Sequence, residues 1–172
     1  KILIADLHAH LDDQKSPWSL LDARSVYYQE VIYAVLRALK VDTANLQFVR
    51  GRDFQTTPDF ILNVLRMSAL TTLARTKRAA SEVVRFGEEP KMGGFFYPLM
   101  QIADCPALSV DVAMGGIDQR GIYMMGRELL PEIDHEKPLC IFTPLLPGLT
   151  GTKMSASDEK SKIDLLDSKK DL

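Results

Sequence analysis

The sequence predicts an α/β protein built on a doubly wound parallel sheet with helices on both faces. Short, almost continuously apolar runs are typical of parallel strands that are buried on both sides. Longer stretches with helical spacing lie between these runs, and glycine-containing or polar loops follow several of them. Because strands alternate with helices, a parallel sheet covered on both faces is favoured. Ligands of such sheets bind beyond the carboxyl ends of the strands.

The first half of the chain contains two predicted strands and the helix between them. Residues 1–7 form an apolar run and are predicted as the first strand. Ser16 and Pro17 are typical of an N-cap and a first helical position, and they predict a helix that continues to about Lys40. The apolar side chains of this helix recur at helical spacing, at Leu20, Tyr27, Val31, Ala34 and Ala38. Residues 46–50 are predicted as the second strand.

The second half repeats the alternation. Thr57-Pro58-Asp59 predicts another helix start, and Gly93-Gly94 predicts a break before a helix that Pro98 starts or kinks. The remaining predicted elements are a strand over 108–113 closed by Gly115-Gly116, a helix over 117–130 and a strand over 139–142. These elements complete the prediction of a Rossmann-like domain.

Composition narrows the function classes. The 172 residues fit one domain, and 46% apolar and 26% charged residues are typical of a globular protein. No apolar run approaches the roughly 20 residues of a membrane span. Cys105 and Cys140 have no motif spacing and are expected to be reduced thiols, and three scattered histidines argue against a protein-ligated metal. A net charge of −2 argues against nonspecific coating of nucleic acid but not against a local RNA-binding patch.

A glycine-bordered loop near the C-terminus has the composition of a phosphate-binding loop. Lys153 and Met154 are followed by Ser155 and Ser157, and Gly148 and Gly151 precede them. Glycine lets the backbone approach an anion closely, hydroxyls donate to its oxygens, and a lysine supplies a compact positive charge.

Since the chain opens at Lys1 directly in an apolar run, we interpret it as an internal segment of a longer protein.

Two further segments are candidate binding sites. In Gly115-Gly116-Ile117-Asp118-Gln119 the glycines permit close ligand approach, and Asp118 can accept hydrogen bonds from ribose hydroxyls; the alternative is a plain turn with an N-capping Asp. Tyr97, Gln101 and Asp104 share one face of a predicted helix, which is either a polar binding face or a solvated edge. Over residues 6–13 a metal site is conceivable, but ordinary polar loop residues are the favoured interpretation.

Several segments together resemble the catalytic domain of tyrosyl-tRNA synthetases of the archaeal and eukaryotic type. Lys153-Met154-Ser155-Ala156-Ser157 resembles the KMSKS signature of class I aminoacyl-tRNA synthetases. The similarity runs nearly end to end, through Ala5-Asp6-Leu7-His8-Ala9, Tyr27-Tyr28, Val49-Arg50-Gly51, Asp53-Phe54-Gln55, Tyr97-Pro98, Val110-Asp111, Gly115-Gly116-Ile117-Asp118-Gln119-Arg120, residues 146–151 and residues 161–167. Each motif alone is weak, but their order and spacing are specific.

The resemblance implies a role for each candidate residue. Asp104 would bind the phenolic hydroxyl of L-tyrosine, and Tyr97, Gln101 and Gln119 would hold its α-ammonium group. Leu3, His8, Phe54 and Gln55 would wall the tyrosine pocket. For ATP, the implied residues are Gly116, Asp118, Leu145, Leu146, Lys153 and Met154, and the implied catalytic residues are Lys153, Ser155 and Ser157.

The resemblance also implies partners and a location. The full-length protein would be a cytoplasmic, homodimeric tyrosine–tRNA ligase without membrane contact, acting on L-tyrosine, ATP and tRNA(Tyr). Mg²⁺ would arrive with ATP rather than on protein ligands. Residues 56–90 would form a connecting region at the dimer interface, and the basic stretch from Arg75 to Arg85 within it would approach the tRNA acceptor end.

The chain departs from the family pattern in two respects. Ala156 stands in place of the second lysine of KMSKS, and no HIGH-type element is present, so we expect residues 1–172 to be a single piece of the catalytic domain that is inactive alone. We expect the anticodon-binding domain to lie outside residues 1–172 as well. Three alternatives remain: a tryptophanyl-tRNA synthetase, which the carboxylate of Asp104 disfavours, a non-catalytic tyrosine-binding module, and a small-molecule nucleotidyltransferase, which does not explain the tyrosine pocket.

Overall fold

Strands alternate with helices along the chain and pair in parallel, which confirms the predicted α/β class. The computed structural model describes residues 1–12 and 16–148. Strand β1 (Ile2–Ile4) pairs in parallel with β2 (Phe48–Arg50), and β3 (Val112–Gly116) pairs in parallel with β4 (Leu139–Thr143). Among the described residues no strand joins the two pairs, so the expected single sheet is present as two two-stranded sheets.

Seven α-helices are found in the described part of the chain. Their bounds are α1 Asp6–Leu11, α2 Leu21–Ala38, α3 Gly51–Gln55, α4 Pro58–Leu70, α5 Leu73–Ala80, α6 Met92–Ala107 and α7 Arg120–Leu129. Short 3-10 turns occupy Trp18–Leu20, Ile117–Gln119 and Pro131–Ile133. The predicted starts near Pro58 and Ile117 are therefore confirmed, the second as a 3-10 turn that leads into α7.

Helix α6 lies at the centre of the hydrophobic core. It contacts α1, α3, α4, α5 and α7. Ile102 of α6 is 1% exposed, and Met67 of α4 and Ile122 of α7 are both fully buried. Burial of each such side chain stabilises the fold by about 1.5–3 kcal/mol. This packing fixes the rotation of α6 and so decides which of its side chains point away from the core.

The predicted first strand is wrong beyond Ile4, because α1 begins at Asp6. The Asp6 side chain is buried, and its Oδ1 accepts hydrogen bonds from the backbone N–H groups of Leu7, at 2.9 Å, and of Arg52, at 3.0 Å. Its Oδ2 accepts from Nε of Arg50 at 2.6 Å. One carboxylate therefore ties the start of α1 to the start of α3, which places α1 directly after β1.

The predicted break at Gly93-Gly94, in the segment that forms α6, is wrong. Gly93 and Gly94 lie inside the helix, and Pro98 lies within it and does not start it. A Cβ on Gly94 would lie 3.1 Å from side-chain atoms of Val84 and Phe86, so close packing favours glycine there. The tertiary packing of α6 outweighs the low helix propensity of these residues.

The apolar face predicted for the helix after Pro17 is largely exposed. Leu20 is 44% and Tyr27 is 40% exposed, whereas Leu21 and Ser25 are the buried residues of α2. Ser16 is buried and makes no side-chain cap, and Pro17 precedes a 3-10 turn. The helix therefore packs through a narrower face than its spacing predicts.

Within the described residues, no helix combines the length and the apolarity that crossing a bilayer needs. Cys105 is buried, Cys140 is half-buried, and both thiols are unpaired.

Candidate active site

A cavity of about 530 Å³ lies between the two strand pairs. Residues of β1 and of the turn after it form one side, and β3 forms the opposite side. The polar side chains that line it come from three helices, namely His8 of α1, Tyr97, Gln101 and Asp104 of α6, and Tyr123 of α7, together with Gln119 at the N-cap of α7. Leu3 and Ala5 contribute apolar surface. The cavity therefore combines an apolar wall with a few converging polar groups, as ligand pockets do.

Helix α6 supplies a polar strip to this cavity. Tyr97, Gln101 and Asp104 are spaced so that they share one helical face, and all three line the cavity. Nε2 of Gln101 donates a hydrogen bond to Oε1 of Gln119 at 3.0 Å. This bond joins α6 to the turn after β3, so the two predicted polar segments meet at one place.

Asp104 is the most perturbed acid of the cavity. It is 6% exposed, and burial raises its pKa to about 8, although the hydrogen bond from Gln55 acts in the opposite direction. Nε2 of Gln55 donates to Oδ1 of Asp104 at 2.6 Å. An acid with this pKa is largely protonated in the empty cavity at neutral pH, and a ligand that donates a hydrogen bond would favour its ionised form.

His8 is a neutral neighbour of Asp104. Burial lowers the pKa of His8 to about 4, so the ring is uncharged at neutral pH. Its Nε2 lies 3.8 Å from Oδ2 of Asp104, and this contact is therefore not an ion pair near pH 7. The ring packs edge-on against Tyr97 with centroids 4.7 Å apart. Burial, followed by the carboxylates of Asp12, Asp104 and Asp118, raises the pKa of Tyr97 to about 12, so its hydroxyl stays protonated.

A second cluster lies at the carboxyl end of β3. A Cβ on Gly116 would lie 2.5 Å from Oδ1 of Asp118 and 3.1 Å from Cδ2 of Leu145. An acid and an apolar side chain thus lie close to the backbone of Gly116. A flat ring and a hydroxyl-bearing group would find complementary partners here. Gly116, Asp118 and Leu145, three of the residues predicted for one ligand, therefore lie at one place.

Other predicted site residues lie elsewhere. Phe54 packs edge-on against Phe60, with centroids 5.6 Å apart, at the border of the core, and it does not line the cavity. Gln55 is fully buried behind Asp104 rather than on the cavity wall. Leu146 is 79% exposed. Lys153, Met154, Ser155 and Ser157 lie outside the described residues.

Two relevant residues escaped the sequence analysis. Tyr123 lines the cavity, and its position four residues after Gln119 in the same helical turn was a usable signal. Burial raises the pKa of Tyr123, so it too is a neutral hydroxyl. Gly51 lies under the side chain of Gln55. Nothing in the sequence pattern distinguished this glycine from an ordinary helix-start residue.

The histidines of α1 do not form a metal site. His8 faces Asp104, whereas Nδ1 of His10 lies 3.0 Å from the backbone oxygen of Ser16 and its ring packs against Trp18. Residues two apart on a helix point in different directions, which separates the two rings. Among the described residues no group of three or more His, Cys, Asp or Glu side chains is arranged to hold a metal ion.

Known proteins of one family match this chain over nearly its whole length. The family model described as tRNA synthetases class I (W and Y) matches residues 1–172. A tyrosine–tRNA ligase of Haloarcula marismortui is 58% identical over 97% of this chain, and the cytoplasmic tyrosine–tRNA ligase of Gallus gallus is 45% identical over 99% of it. The chain spans 48% of the first relative and 32% of the second.

A solved structure agrees with the sequence relatives. The tyrosyl-tRNA synthetase of Archaeoglobus fulgidus, crystallised with L-tyrosine, superposes with a TM-score of 0.87 at 39% identity. The alignment covers 98% of this chain and 51% of that protein. With the family match over the full chain, these findings show that the chain belongs to the class I tRNA synthetases of the tryptophan and tyrosine family.

Proposed function

We propose that the full-length protein activates L-tyrosine with ATP to tyrosyl-adenylate and transfers the tyrosyl group to tRNA(Tyr). The observation that carries this proposal is the buried carboxyl of Asp104, which lies in the cavity on the same helical face as Tyr97 and Gln101. Curated relatives named for tyrosine are 45–58% identical to the chain and support the same substrate.

The cavity suits an amino acid with a hydroxyl at its far end. Asp104 would accept the phenolic hydroxyl, and Tyr97, Gln101 and Gln119 would take the α-ammonium group. Positions 97 and 104 are separated by about 10 Å along the helix axis at 1.5 Å per residue, which is a suitable span for a substrate with polar groups at both ends. Leu3 supports the aromatic ring from the β1 side.

The cluster at the end of β3 suits ATP. Asp118 would accept hydrogen bonds from the ribose hydroxyls, and the lack of a side chain at Gly116 would let the nucleotide approach the backbone. Leu145, with Leu146 beside it, would contact the adenine. Mg²⁺ would be held by the triphosphate, where it neutralises phosphate charge, because the described residues offer no cluster of metal ligands.

The reaction requires positioning more than acid–base chemistry. The carboxylate oxygen of tyrosine forms a bond to the α-phosphorus of ATP, and the bond from that phosphorus to the bridging oxygen of pyrophosphate breaks. Lys153, with Met154, Ser155 and Ser157, would bind the departing pyrophosphate and stabilise the charge that develops on it. These residues lie outside the described part of the chain, so their assignment depends on the KMSKS resemblance.

Homodimerisation through the region 56–90 is part of the same proposal. Its surface carries apolar side chains that are 41–61% exposed, namely Ile61, Leu62, Leu65, Leu70 and Leu73. Monomers rarely leave such a patch uncovered. Lys77 and Arg78 of α5 are exposed beside it and would approach the acceptor end of the tRNA. The full-length protein would act in the cytoplasm, and the cytoplasmic tyrosine–tRNA ligase of Gallus gallus supports this part of the proposal.

The decisive experiment is ATP–pyrophosphate exchange by the full-length protein, offered tyrosine, phenylalanine and tryptophan separately. Exchange with tyrosine alone, and loss of the preference over phenylalanine in Asp104→Ala, would support the proposal. A site that hydrogen-bonds the substrate hydroxyl discriminates strongly because its polar groups stay unpaired with phenylalanine. The general example of this effect is tyrosyl-tRNA synthetase itself, at roughly 10⁵-fold.

Each alternative has its own outcome in that assay. Exchange with tryptophan would identify a tryptophanyl enzyme, although an indole ring gives no reason to bury a carboxyl at position 104. Binding of tyrosine without exchange would identify a non-catalytic module. A preference for tyrosine that survives in Asp104→Ala would refute the assignment of the hydroxyl subsite.

A further inference from the structure

Gln55 makes the shortest described contact to Asp104, yet it does not reach the cavity. Its side chain is fully buried at the end of α3. Nε2 of Gln55 lies 2.6 Å from Oδ1 of Asp104 and 3.3 Å from Nδ1 of His8. One carboxamide therefore touches both of the titratable groups at the closed end of the cavity.

The numbers of donors and acceptors on Gln55 and His8 determine which of their atoms donate and which accept hydrogen bonds. A carboxamide nitrogen carries two hydrogens, and here each has an acceptor within reach. If the carboxamide were reversed, its NH₂ group would lie where Oε1 now has no partner, and its oxygen would face Oδ1 of Asp104. Two buried amide donors would then be unsatisfied, whereas the observed orientation leaves Oε1 of Gln55 and Nε2 of His8 without partners. Nδ1 of His8 is consequently an acceptor, and the ring proton is on Nε2, which faces Oδ2 of Asp104 at 3.8 Å.

Gly51 permits this orientation of Gln55. The two residues are four apart on α3, and a Cβ on Gly51 would lie 2.5 Å from Oε1 and 3.1 Å from Cδ of Gln55. The carboxamide therefore lies over the bare backbone of Gly51. Asp6 anchors the same turn by accepting a hydrogen bond from the backbone N–H of Arg52 at 3.0 Å. The backbone at the start of α3 and the side chain of its last residue, Gln55, are therefore both held in place.

We propose that Gly51 and Gln55 form a positioning device that orients the carboxyl of Asp104 and thereby sets the discrimination between aromatic amino acids with and without a hydroxyl. With Oδ1 held by Gln55, Oδ2 is the oxygen left for a ligand hydroxyl. Gln55 is thus a positioning residue that acts through Asp104 and does not touch the substrate. This inference rests on the proposed function, because it assumes that Asp104 receives the hydroxyl of tyrosine.

The positioning device should also affect how tyrosine binding depends on pH. The bond from Gln55 lowers the pKa of Asp104, so its removal would raise that pKa above its present value of about 8. The titratable groups facing Asp104 are His8 from α1, Tyr97 and Cys105 from α6, and Tyr123 from α7. Burial lowers the pKa of His8 to about 4 and raises that of Cys105 to about 12, so of these groups only Asp104 changes charge between about pH 6 and pH 9.

The test uses the full-length protein and two variants. Gln55→Met keeps the length of the side chain and removes the donor. Gly51→Ala places a methyl group 2.5 Å from Oε1 of Gln55 and 2.9 Å from Oδ1 of Asp6, so it displaces the carboxamide and also presses on the Asp6 anchor. Ile133→Val, a buried change in a 3-10 turn remote from the cavity, is the control for packing loss. Pyrophosphate exchange with tyrosine and with phenylalanine is measured over about pH 6–9, and phenylalanine corrects for titration of the shared α-ammonium group.

We expect Gln55→Met to lower the ratio of kcat/KM for tyrosine to that for phenylalanine by about 10- to 100-fold, mainly through the KM for tyrosine. The pH at which tyrosine binding strengthens should move upward, because a carboxylate accepts a stronger hydrogen bond than a carboxylic acid. Gly51→Ala should change both quantities in the same direction by less, and Ile133→Val should change neither. A ratio within twofold of wild type in a folded Gln55→Met or Gly51→Ala protein would overturn the proposal.

A measurement without catalysis separates this proposal from the proposed function. Nitrogen-15 shifts of His8 in the full-length wild-type protein should show the neutral ring protonated on Nε2, and Gln55→Met should lose this single tautomer. A ring protonated on Nδ1 would overturn the positioning device even in an active enzyme. The expected tautomer in a protein without tyrosine-dependent exchange would support the device and refute the proposed function.

Discussion

Replacing Asp104 by Asn should stabilise the protein at alkaline pH while it impairs tyrosine binding. Burial raises the pKa of this acid from its ordinary value of 3.8 to about 8. Between these two values the folded protein holds a proton that the unfolded chain releases, so the stability of the wild type falls as pH rises through this window. At about 1.36 kcal/mol for each pH unit, the loss approaches about 6 kcal/mol above pH 8.

The amide that Asp104→Asn introduces carries no charge, so the variant avoids this loss. The difference in stability between variant and wild type should therefore increase by several kcal/mol from about pH 5 to about pH 9 and remain constant at higher pH. His8, whose pKa burial lowers from 6.5 to about 4, makes stability rise with pH between these two values, and this contribution is common to both proteins. A gain of this size is comparable with the total stability of many domains, about 5–15 kcal/mol.

Hydrogen exchange in α6 of the full-length protein gives the necessary readout, because it reports the opening free energy of this domain without assuming two-state unfolding of the whole chain. Variant and wild type are compared at the same pH, which cancels the intrinsic pH dependence of exchange. Asp111→Asn changes an exposed carboxylate and should show no such trend. If the stability difference for Asp104→Asn does not grow with pH, burial does not raise the pKa of Asp104 and the reasoning is refuted.

Three further perturbations test other parts of the structure. Gly116→Ala should raise the KM for ATP about tenfold or more and leave that for tyrosine unchanged, because the new methyl group would meet Asp118; equal increases in both KM values would contradict this. Leu65→Glu, at a position 51% exposed, should convert a dimer into a monomer in light scattering, and an unchanged mass would remove this face from the interface. Asp6→Ala should cost about 1–3 kcal/mol, because the backbone N–H groups of Leu7 and Arg52 lose their acceptor while Arg50 keeps its exposed partner Asp22; faster hydrogen exchange throughout α1 would show it, and unchanged exchange would count against the role of Asp6.

The sequence predicted features that depend on local geometry. Thr57-Pro58 marked the start of α4 correctly because proline favours the first turn of a helix, where its missing N–H costs nothing. The shared face of Tyr97, Gln101 and Asp104 followed from helical spacing alone, and the structure brings all three to one cavity. The order of the motifs also indicated the family, which the match over residues 1–172 confirms.

Features that depend on contacts distant in sequence were not predictable. Gly93 and Gly94 were expected to break a helix, but α6 continues through them because Gly94 packs against Val84 and Phe86. The run over residues 1–7 was expected to be one strand, but α1 begins at Asp6, whose carboxylate accepts hydrogen bonds from Arg50 and Arg52. In each case a partner more than five residues away decided the local conformation.

The sequence by itself determined the fold class, through spacing and periodicity, and the family, through the order of its motifs. It also predicted that Tyr97, Gln101 and Asp104 share one face. Only the tertiary structure decided how the site residues act on one another. It placed Gln55 behind Asp104, made His8 neutral and raised the pKa of Asp104 to about 8. The reason is that desolvation and hydrogen-bond geometry depend on which elements pack together, and no pattern within a single element records that.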